Sequence, residues 1–523
     1  MNTLARRVAA ASLLSLAGVA QADVVTDWNE VYLQIIRWTG GPPGPISRRA
    51  PMMNLAVYDA VNAIDRVENF ATSHKPYLDG VPVPASGTSR EAAAAAAAYT
   101  VLSNIFPMQS DENPQIGVLI QSTYDNQLAL IPAGPAKANG IAHGESIGHQ
   151  MLIHRFGDGS DPVPPYVPGT NAGDWRPSPD GPNMPGFSPQ WGTVIPWGIE
   201  SGDQFRPTRL TTFGGMANLV ASPEYAEQIN GSMTVPGVKD LGERNSPLRT
   251  ADQTEAAWFW ANDRDGTYKP PGHLLYITKV VSQDHTLTLS QNARLFGLVS
   301  IGLGDAGVSA WDCKYETNVD LWRPIDAIRE TQDDSNPLTT PVPGWLPLND
   351  FTPPFPAYVS GHATFGAVHA KIMENYFGTD NVTFTIGSDE FAVHNSLGYP
   401  ANLTRTFTSF SQAGWENAMS RIWLGVHYYW DAEDANIMGN QVGQFIYDHR
   451  LRPSQLGPCQ ADMNTDTFVD DPDFVLFADQ YNAFDCRTAA MPGDCAGDLN
   501  ADNYVDDADF VLFATAYETL LCP

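Results

Sequence analysis

The sequence is poor in positive charge. Its 523 residues include 29 lysines and arginines against 59 aspartates and glutamates, which gives a formal net charge of -30. Nucleic-acid binding needs a basic footprint for the phosphate backbone, so we predict no nucleic-acid partner. A small anionic ligand is not excluded, because a few cations gathered in one cleft can create a local positive potential inside an acidic protein.

Long apolar runs are also scarce. Residues 1–22 are typical of a secretory signal peptide, with Arg6 and Arg7 before an apolar run and Ala20-Gln21-Ala22 as the cleavage site. No later run is long enough to span a bilayer, so we predict no membrane span. We therefore expect a secreted or extracytoplasmic protein, in the periplasm or at the cell surface.

The rest of the chain is predicted to be mainly α-helical. Its length favours a large body, residues 23–455, followed by a small domain, residues 459–523. Strand alternation is scarce, and two Pro/Gly-rich segments, 158–201 and 337–356, are predicted to be ordered loops over a helical body. Apolar periodicity or alanine content predicts helices at Met52–Ile64, Glu91–Phe106, Thr254–Trp260 and Ser290–Val308.

From residue 459 onward the sequence repeats itself with an offset of 36 residues. Each copy has oxygen-bearing side chains at loop positions 1, 3, 5, 9 and 12 and a backbone carbonyl at position 7, which is the ligand spacing of a calcium loop. An acidic solvated tail without metal would explain the charge but not this spacing. The predicted calcium ligands are Asp462, Asn464, Asp466, Phe468, Asp470 and Asp473 in the first copy, and Asp498, Asn500, Asp502, Tyr504, Asp506 and Asp509 in the second.

This tail resembles a dockerin domain, in which a calcium loop and one helix are repeated twice. The resemblance implies two bound calcium ions and a cohesin-like or cell-surface partner. The residues after the ninth ligand, Asp471-Pro472 and Asp507-Ala508, differ from the Ser-Thr pair of well-known cohesin-binding dockerins.

Four of the five cysteines belong to the repeats, and the same offset relates Cys459 to Cys495 and Cys486 to Cys522. Export and an even number favour disulfides. The simplest pairing joins Cys459 to Cys486 and Cys495 to Cys522, although three pairings are formally open. The fifth cysteine, Cys313, is predicted to be a buried thiol.

Two segments of the body contain polar residues suited to an anion. The first has Lys314 and Arg323-Pro324, each of which alone could be an ordinary surface charge. In the second, prolines end just before Ser360 and a helical pattern begins after it, so Ser360 and Gly361 are predicted at a helix N-terminus, where free N–H groups and the helix dipole favour an anion. His362, in the first turn, is then placed for proton transfer.

A third segment contains Arg421, His427 and Asp431. Gly425 predicts a break between two helices, which would allow Arg421 and His427 to meet. Asp431 is predicted to accept the Nδ1 proton of His427 and to leave Nε2 with a free lone pair. His369, in contrast, is predicted to be a buried structural histidine.

In this order, the three segments resemble the signature of the vanadium haloperoxidase and type 2 phosphatidic acid phosphatase superfamily. The wider sequence, over most of residues 25–450, is similar to bacterial vanadium-dependent haloperoxidases. The resemblance implies a helical-bundle body with long ordered loops, followed by the small α dockerin-like domain. It makes His427 the axial vanadate ligand, oriented by Asp431, and His362 the acid/base, with hydrogen bonds to the equatorial oxygens from Lys314, Arg323, Ser360, the Gly361 amide and Arg421.

The resemblance also implies an activity, in which hydrogen peroxide oxidises halide to a hypohalous-acid-type species while vanadate acts as a Lewis acid. Phe355 stands where chloroperoxidase-like members have Phe and algal bromoperoxidases have His. The family usually has six residues between the Lys and the Arg-Pro, but eight separate Lys314 from Arg323. This two-residue insertion is a departure from the family pattern, and it affects the placement of Lys314 more than that of Arg323.

Two other functions fit parts of the sequence. A secreted phosphatase could hydrolyse a phosphate ester with His427 as nucleophile and His362 protonating the leaving group. A non-catalytic, calcium-stabilised binding module could act through its tail alone. The intact site argues against the second alternative, because clustered cations are costly to keep without a function.

Overall fold

Helices make up most of the computed structural model, which describes residues 23–107, 113–330, 334–454, 461–464, 468–488, 490–492, 495–500 and 502–517. The predicted signal peptide, residues 1–22, lies outside the described residues. The α-helices are α1 (Val24–Thr39), α2 (Pro43–Glu68), α3 (Arg90–Ile105), α4 (Pro114–Leu130), α5 (Pro135–His154), α6 (Met216–Val220), α7 (Pro223–Asn230), α8 (Val238–Leu241), α9 (Ala251–Phe259), α10 (Lys269–Asp284), α11 (Leu289–Tyr315), α12 (Pro324–Arg329), α13 (Gly361–Phe377), α14 (Glu390–Val393), α15 (Phe410–Trp423), α16 (Tyr429–His449), α17 (Asp471–Ala483) and α18 (Asp507–Tyr517).

The predicted mainly α fold is confirmed, and the four predicted helices correspond to α2, α3, α9 and α11, with the predictions for α3 and α9 ending one residue too late. Short 3-10 helices occur at Phe70–Thr72, Pro189–Thr193, Leu210–Phe213 and Asn395–Leu397. The described strands, β1 (Phe384–Gly387) and β2 (Thr404–Phe407), form one antiparallel pair in which Phe384 is opposite Phe407. Within the described residues, the segment 158–201 contains no α-helix, as predicted for an ordered loop.

The centre of the body is α11. Every residue from Leu295 to Lys314 in this helix is buried, and the helix packs against α2, α10, α13 and α16. A helix that is apolar all round must be enclosed by other elements, which explains why this one runs through the core. Its C-terminal end brings Lys314 to the region where α13 begins.

The seven alanines of α3 form a tightly packed interface with α5, as the sequence predicts. Gly140, Gly144 and Gly148 form a row along α5 and face α3. A Cβ atom at Gly144 would lie 2.1 Å from the backbone oxygen of Ala93, so only glycine permits this separation of the two helices. Small residues on both helices therefore set the distance between them.

We predict that Gly144→Ala destabilises the body by about 1–3 kcal/mol, because the added methyl group forces the two helix backbones apart. Thermal unfolding followed by circular dichroism measures the change. Asn139→Ala, on the exposed side of the same helix, is the control and should not lower the melting temperature. Equal melting temperatures for the Gly144→Ala variant and the unmodified protein would contradict the close packing.

The C-terminal repeats have a small core of their own, which includes Val469, Phe477, Val505 and Phe513. The helices that follow the two loops, α17 and α18, pack through Phe477 and Phe513, whose ring centroids are 4.8 Å apart. Two equivalent tyrosines also link the repeats by hydrogen bonds. The hydroxyl group of Tyr481 donates to Asp507, and that of Tyr517 donates to Asp471. The domain boundaries inferred from the sequence stay a prediction.

The predicted disulfide pairing is wrong. Cys486 forms a disulfide with Cys495, with the Cα atoms 5.5 Å apart, so the bond joins the end of the first repeat to the start of the second. The sequence offset suggested one disulfide per repeat, but the packing of the repeats brings these two cysteines together across the connecting segment. Cys459 and Cys522 lie outside the described residues.

The repeats contact the body through the second calcium-type loop. The buried ammonium group of Lys75, in the body, forms a salt bridge with Asp498. Arg487 of the tail pairs with Asp79 of the body at 3.1 Å. Among the described helices, none is both long and apolar enough to cross a bilayer.

Candidate active site

The helix N-terminus predicted for the anion site is present. Ser360 is the N-cap of α13, and its hydroxyl group accepts a hydrogen bond from the amide of Ala363. Ser360 and Gly361 are fully buried, and His362 is in the first turn. The positive end of the helix dipole therefore points at a buried position next to His362, which favours an anion there.

The predicted break between two helices is also present. Gly425, with φ of +78°, separates α15 from α16 and is in the left-handed region that favours glycine. Arg421 is at the end of α15, His427 follows the break and Asp431 is in the first turn of α16. The break brings Arg421 and His427 into the lining of one small cavity, together with Gly361 and His362.

The hydrogen bonds of His427 fix its protonation. Its Nδ1 donates to Asp431 Oδ2 at 2.8 Å, and this oxygen also accepts the backbone N–H of Tyr428 at 3.1 Å. On the other side of the ring, Arg323 Nη1 is 3.0 Å from Nε2. Because arginine only donates, Nε2 must carry a lone pair. This is the tautomer that the sequence predicts for a histidine that binds vanadium or phosphorus.

Several N–H donors of the site arginines have no partner among the described residues. They are Nε and Nη1 of Arg421 and Nη2 of Arg323, on two side chains that are fully buried. A buried, unsatisfied N–H costs free energy, and a guanidinium group carries its charge at any ordinary pH. This donor set fits a multiply charged tetrahedral oxyanion such as vanadate or phosphate, which would accept all three hydrogen bonds.

Lys314 is held differently from the arginines. Its Nζ donates to three backbone carbonyls, Pro356 at 2.6 Å, Ala357 at 3.1 Å and Val359 at 2.5 Å. An ammonium group has three N–H donors, so in this geometry all of them are used by the loop that leads into Ser360. The structure therefore shows Lys314 supporting that loop, and its predicted hydrogen bond to the anion stays a prediction.

Sequence reasoning missed Asp263. Its carboxylate accepts a hydrogen bond from Arg421 Nη2 at 2.9 Å and is 4.0 Å from His362 Nε2. Burial raises the pKa of Asp263, but His362, when it is protonated, and the charge of Arg421 lower it by more, so that the net shift is downward. Asp263 lies three residues after Trp260, where the predicted helix ends. The need for a carboxylate to balance two buried arginines is the only sequence signal that could have pointed to it.

Both site histidines are neutral near pH 7. Burial and the charge of Arg421 lower the pKa of His362 to about 4, although Asp263 raises it. Burial, followed by the charges of Arg323 and Lys314, moves the pKa of His427 well below its usual range. His362 Nε2 is 3.0 Å from the backbone oxygen of Ala261, so it carries the proton and leaves Nδ1 with a lone pair.

We predict that in the protein without a bound anion His362 stays neutral at pH 6 and takes up a proton only near pH 4. Asp263→Asn removes the carboxylate that raises this pKa, so the titration should move to still lower pH. Histidine NMR spectra recorded against pH measure both values, with His362→Gln to assign the signal. Asp265→Asn, a change at an exposed neighbouring carboxylate, should leave the titration unchanged, and protonation of His362 at pH 6 would contradict the prediction.

Two other residues singled out in the sequence are where it predicts them. His369 is buried, and its Nε2 is 3.0 Å from the hydroxyl group of Thr278. Cys313 is a buried thiol 3.9 Å from the sulfur of Met438, and burial raises its pKa to about 12. Both are structural in this fold.

Comparisons with known proteins agree on one family. The model of the VCPO second helical-bundle domain matches residues 294–455, the part that contains most of α11 and all of α13, α15 and α16. The vanadium chloroperoxidase of Curvularia inaequalis is 28% identical over 493 residues, with 78% of this chain and 79% of the relative covered. Both comparisons therefore place this chain's similarity with vanadium haloperoxidases.

Solved structures of vanadium haloperoxidases have the same fold. A bacterial vanadium-dependent iodoperoxidase superposes with a TM-score of 0.64 at 23% identity, covering 83% of this chain and 97% of the other. A holo-type bacterial vanadium-dependent chloroperoxidase superposes with a TM-score of 0.58 at 15% identity, covering 83% and 98%. Nearly the whole length of each is therefore represented in this chain.

Proposed function

We propose that the protein is a vanadate-dependent haloperoxidase, which oxidises halide with hydrogen peroxide to a hypohalous-acid-type halogenating species. The observation that carries this function is the set of buried, unpartnered guanidinium donors of Arg323 and Arg421 beside the lone pair of His427 Nε2. The kinship with the vanadium chloroperoxidase of Curvularia inaequalis supports vanadate as the anion.

The roles of the site residues follow from their contacts. His427 would hold vanadate through Nε2, and Arg323 and Arg421, with Ser360 and the Gly361 amide, would donate hydrogen bonds to its oxygens. Vanadate, when bound, supplies a Lewis acid that polarises peroxide without changing its own oxidation state.

Proton transfer in this site would fall to His362. Because His362 is neutral, its Nδ1 can accept a proton from peroxide. Its Nε2–H stays bonded to the backbone oxygen of Ala261. The arginines keep the charge of the anion compensated throughout, because they are fixed by the fold and need no reorganisation.

The proposal is tested with purified protein incubated with orthovanadate. Halogenation of a phenolic reporter by peroxide and bromide is measured beside the hydrolysis of a phosphate ester. We expect halogenation that depends on vanadate and is lost in His427→Ala. His369→Ala, which alters a buried histidine outside the site, should keep vanadate-dependent halogenation if the variant folds.

The same experiment decides the second function. A phosphatase would use His427 as nucleophile on the same donor set, because vanadate and phosphate share tetrahedral geometry. Ester hydrolysis that vanadate inhibits, without halogenation, would mean that the site is a phosphatase.

We also propose that the C-terminal repeats bind calcium, as a dockerin-like domain does. In the second loop, carboxylate oxygens of Asp498, Asp502 and Asp509 lie within 4.8 Å of one another, which suits one cation. Burial and the neighbouring aspartates raise the pKa of Asp509 to about 6, as expected for carboxylates that share a cation site. In the first loop, Asp466 lies outside the described residues, and its role stays a prediction.

Calcium binding is measured by isothermal titration of the full chain. Two sites are expected, of which one is lost in Asp509→Asn. Lys75→Met removes a buried positive charge beside Asp498, so it should tighten calcium binding at the second loop. Asp479→Asn, which changes an aspartate of α17 that is not a predicted ligand, is the control. A titration without heat of binding would contradict the calcium proposal.

We propose on the sequence alone that these repeats bind a cohesin-like or cell-surface partner. We also propose on the sequence alone that the chain is exported and that residues 1–22 are removed. N-terminal sequencing of protein recovered outside the cytoplasm tests the export: a start at Asp23 is expected, and an intact Met1 would contradict it.

A further inference from the structure

A wider cavity lies directly outside the site. Its volume is about 610 Å³, and it shares part of its lining with the small cavity of His362, Arg421 and His427. The shared residues are Pro43, Asp263, Pro270, Pro353 and Phe355. A neutral species formed at the site would therefore enter this cavity before it reaches bulk solvent.

The charged groups in the wall of this cavity are engaged with each other. Arg264 pairs with Glu390 at 3.1 Å and with Asp350, and Lys269 pairs with Asp265 at 3.0 Å. Amines that are held as protonated ion pairs are poor nucleophiles, because no lone pair is available. The rest of the lining consists largely of proline and aromatic side chains.

Met184 is the exception among the lining residues, because it has a soft nucleophilic atom. Its thioether sulfur is polarisable and carries lone pairs. The loop that carries it is fixed beside the site, since the backbone N–H of Phe187, three residues on, donates to the carbonyl of Pro354 at 2.9 Å. Met184 itself closes a turn, with its N–H bonded to Gly181 O at 3.1 Å. The fold therefore keeps a thioether at the exit of the site.

We propose that Met184 is a modification site, the first group to be oxidised by hypohalous acid as it leaves the active site. This inference rests on the proposed function, which supplies the oxidant. The sulfur lone pair attacks the halogen of hypohalous acid and displaces hydroxide. Water then adds to sulfur and halide leaves with the electron pair, so that thioether and hypohalous acid give sulfoxide, halide and one proton.

The modification would change the cavity. A sulfoxide is polar and accepts hydrogen bonds, whereas the thioether is apolar. Before oxidation the cavity suits compact, uncharged acceptors with an electron-rich ring or a sulfur atom, and such an acceptor would compete with Met184 for the halogen. Substrate in the cavity would therefore protect Met184.

Met233 provides an internal reference for oxidation by hypohalous acid in bulk solution. Met233 is fully exposed, at 104% of its reference surface, and does not line this cavity. Arg209 separates the two methionines in sequence, so trypsin places them on different peptides. Oxidant in bulk solution should reach Met233 first, whereas oxidant released from the site should reach Met184 first.

The test compares two samples of the vanadate-loaded protein by quantitative peptide mass spectrometry. One turns over limiting peroxide with bromide, and the other receives reagent hypobromite without peroxide. We expect the ratio of sulfoxide at Met184 to that at Met233 to be about tenfold higher during turnover, because proximity raises the local concentration of oxidant. Peroxide without bromide should not produce this preference, and an added phenolic acceptor should reduce it.

Met184→Leu conserves volume in the apolar wall and should halogenate a phenolic reporter at the initial rate of the unmodified protein. Its peptide should show no oxygen addition at residue 184. If halogenation occurs but the two samples give the same ratio, the assignment of Met184 is overturned and the haloperoxidase function stands. If bromide-dependent halogenation is absent, the haloperoxidase function falls, and this inference with it.

Discussion

Replacing Asp431 with asparagine is expected to lower vanadate-dependent halogenation by about 10²–10⁴-fold while leaving the protein folded. Asp431 Oδ2 accepts from both His427 Nδ1 and the amide of Tyr428. An asparagine that turns its NH₂ group toward His427 would force the proton onto Nε2, and an asparagine in the other orientation would still lose the negative charge. Either way, the lone pair that holds the anion is removed or becomes less basic.

The loss should be accompanied by weaker vanadate binding, which equilibrium dialysis measures. Nitrogen NMR of the anion-free variant distinguishes the two orientations: a proton at His427 Nε2 means that the NH₂ group faces the ring, and a proton at Nδ1 means that the amide oxygen does. Asp59→Asn is the matched control, because Asp59 is also a fully buried carboxylate that accepts two backbone N–H groups but does not line the site. Unchanged halogenation in Asp431→Asn would show that the carboxylate does not orient His427.

Replacing Arg421 with methionine is expected to lower the rate of halogenation by about 10²–10³-fold, as the loss of one preorganised donor does in other oxyanion sites. Nε and Nη1 of this side chain have no partner among the described residues, so both are available to the anion. The third nitrogen is bonded to Asp263 at 2.9 Å, which fixes the plane of the guanidinium group. Methionine keeps the volume but offers no donor.

The effect of Arg421→Met should appear in the dissociation constant of vanadate as well as in the rate. The matched control is Arg155→Met, because Arg155 is another fully buried arginine paired with an aspartate, Asp158, at 2.8 Å, but lies outside the site. That variant should lose stability without a selective loss of vanadate affinity. Equal vanadate affinity in Arg421→Met and the unmodified protein would mean that the anion sits elsewhere.

Local sequence signals predict the positions of several site residues in the fold. A serine followed by glycine at the end of a proline-rich stretch predicts the N-terminus of α13, and Gly425 predicts the break before α16. These signals work because helix starts and breaks depend on nearby residues. Arg323 was identified from its motif, and its guanidinium group indeed lies 3.0 Å from His427.

Contacts between segments that are distant in the sequence are harder to predict from the sequence. Asp263 lies 158 residues before Arg421 in the chain, and nothing in its own neighbourhood indicates that they meet. The Cys486–Cys495 disulfide differs from the pairing suggested by the repeat, because sequence offset does not report how two repeats pack. The three carbonyl partners of Lys314 also come from a separate loop.

The sequence by itself determined the helical class, the tandem loops and most of the residues that the structure gathers at the candidate site, because helix signals and metal-ligand spacing are local. Only the tertiary structure decided that Asp263 balances Arg421, that Lys314 supports the loop before Ser360, and that Lys75 of the body meets Asp498 of the tail. These contacts are decided by burial: a charge removed from water must find a partner in space, and the fold supplies that partner from any point in the chain.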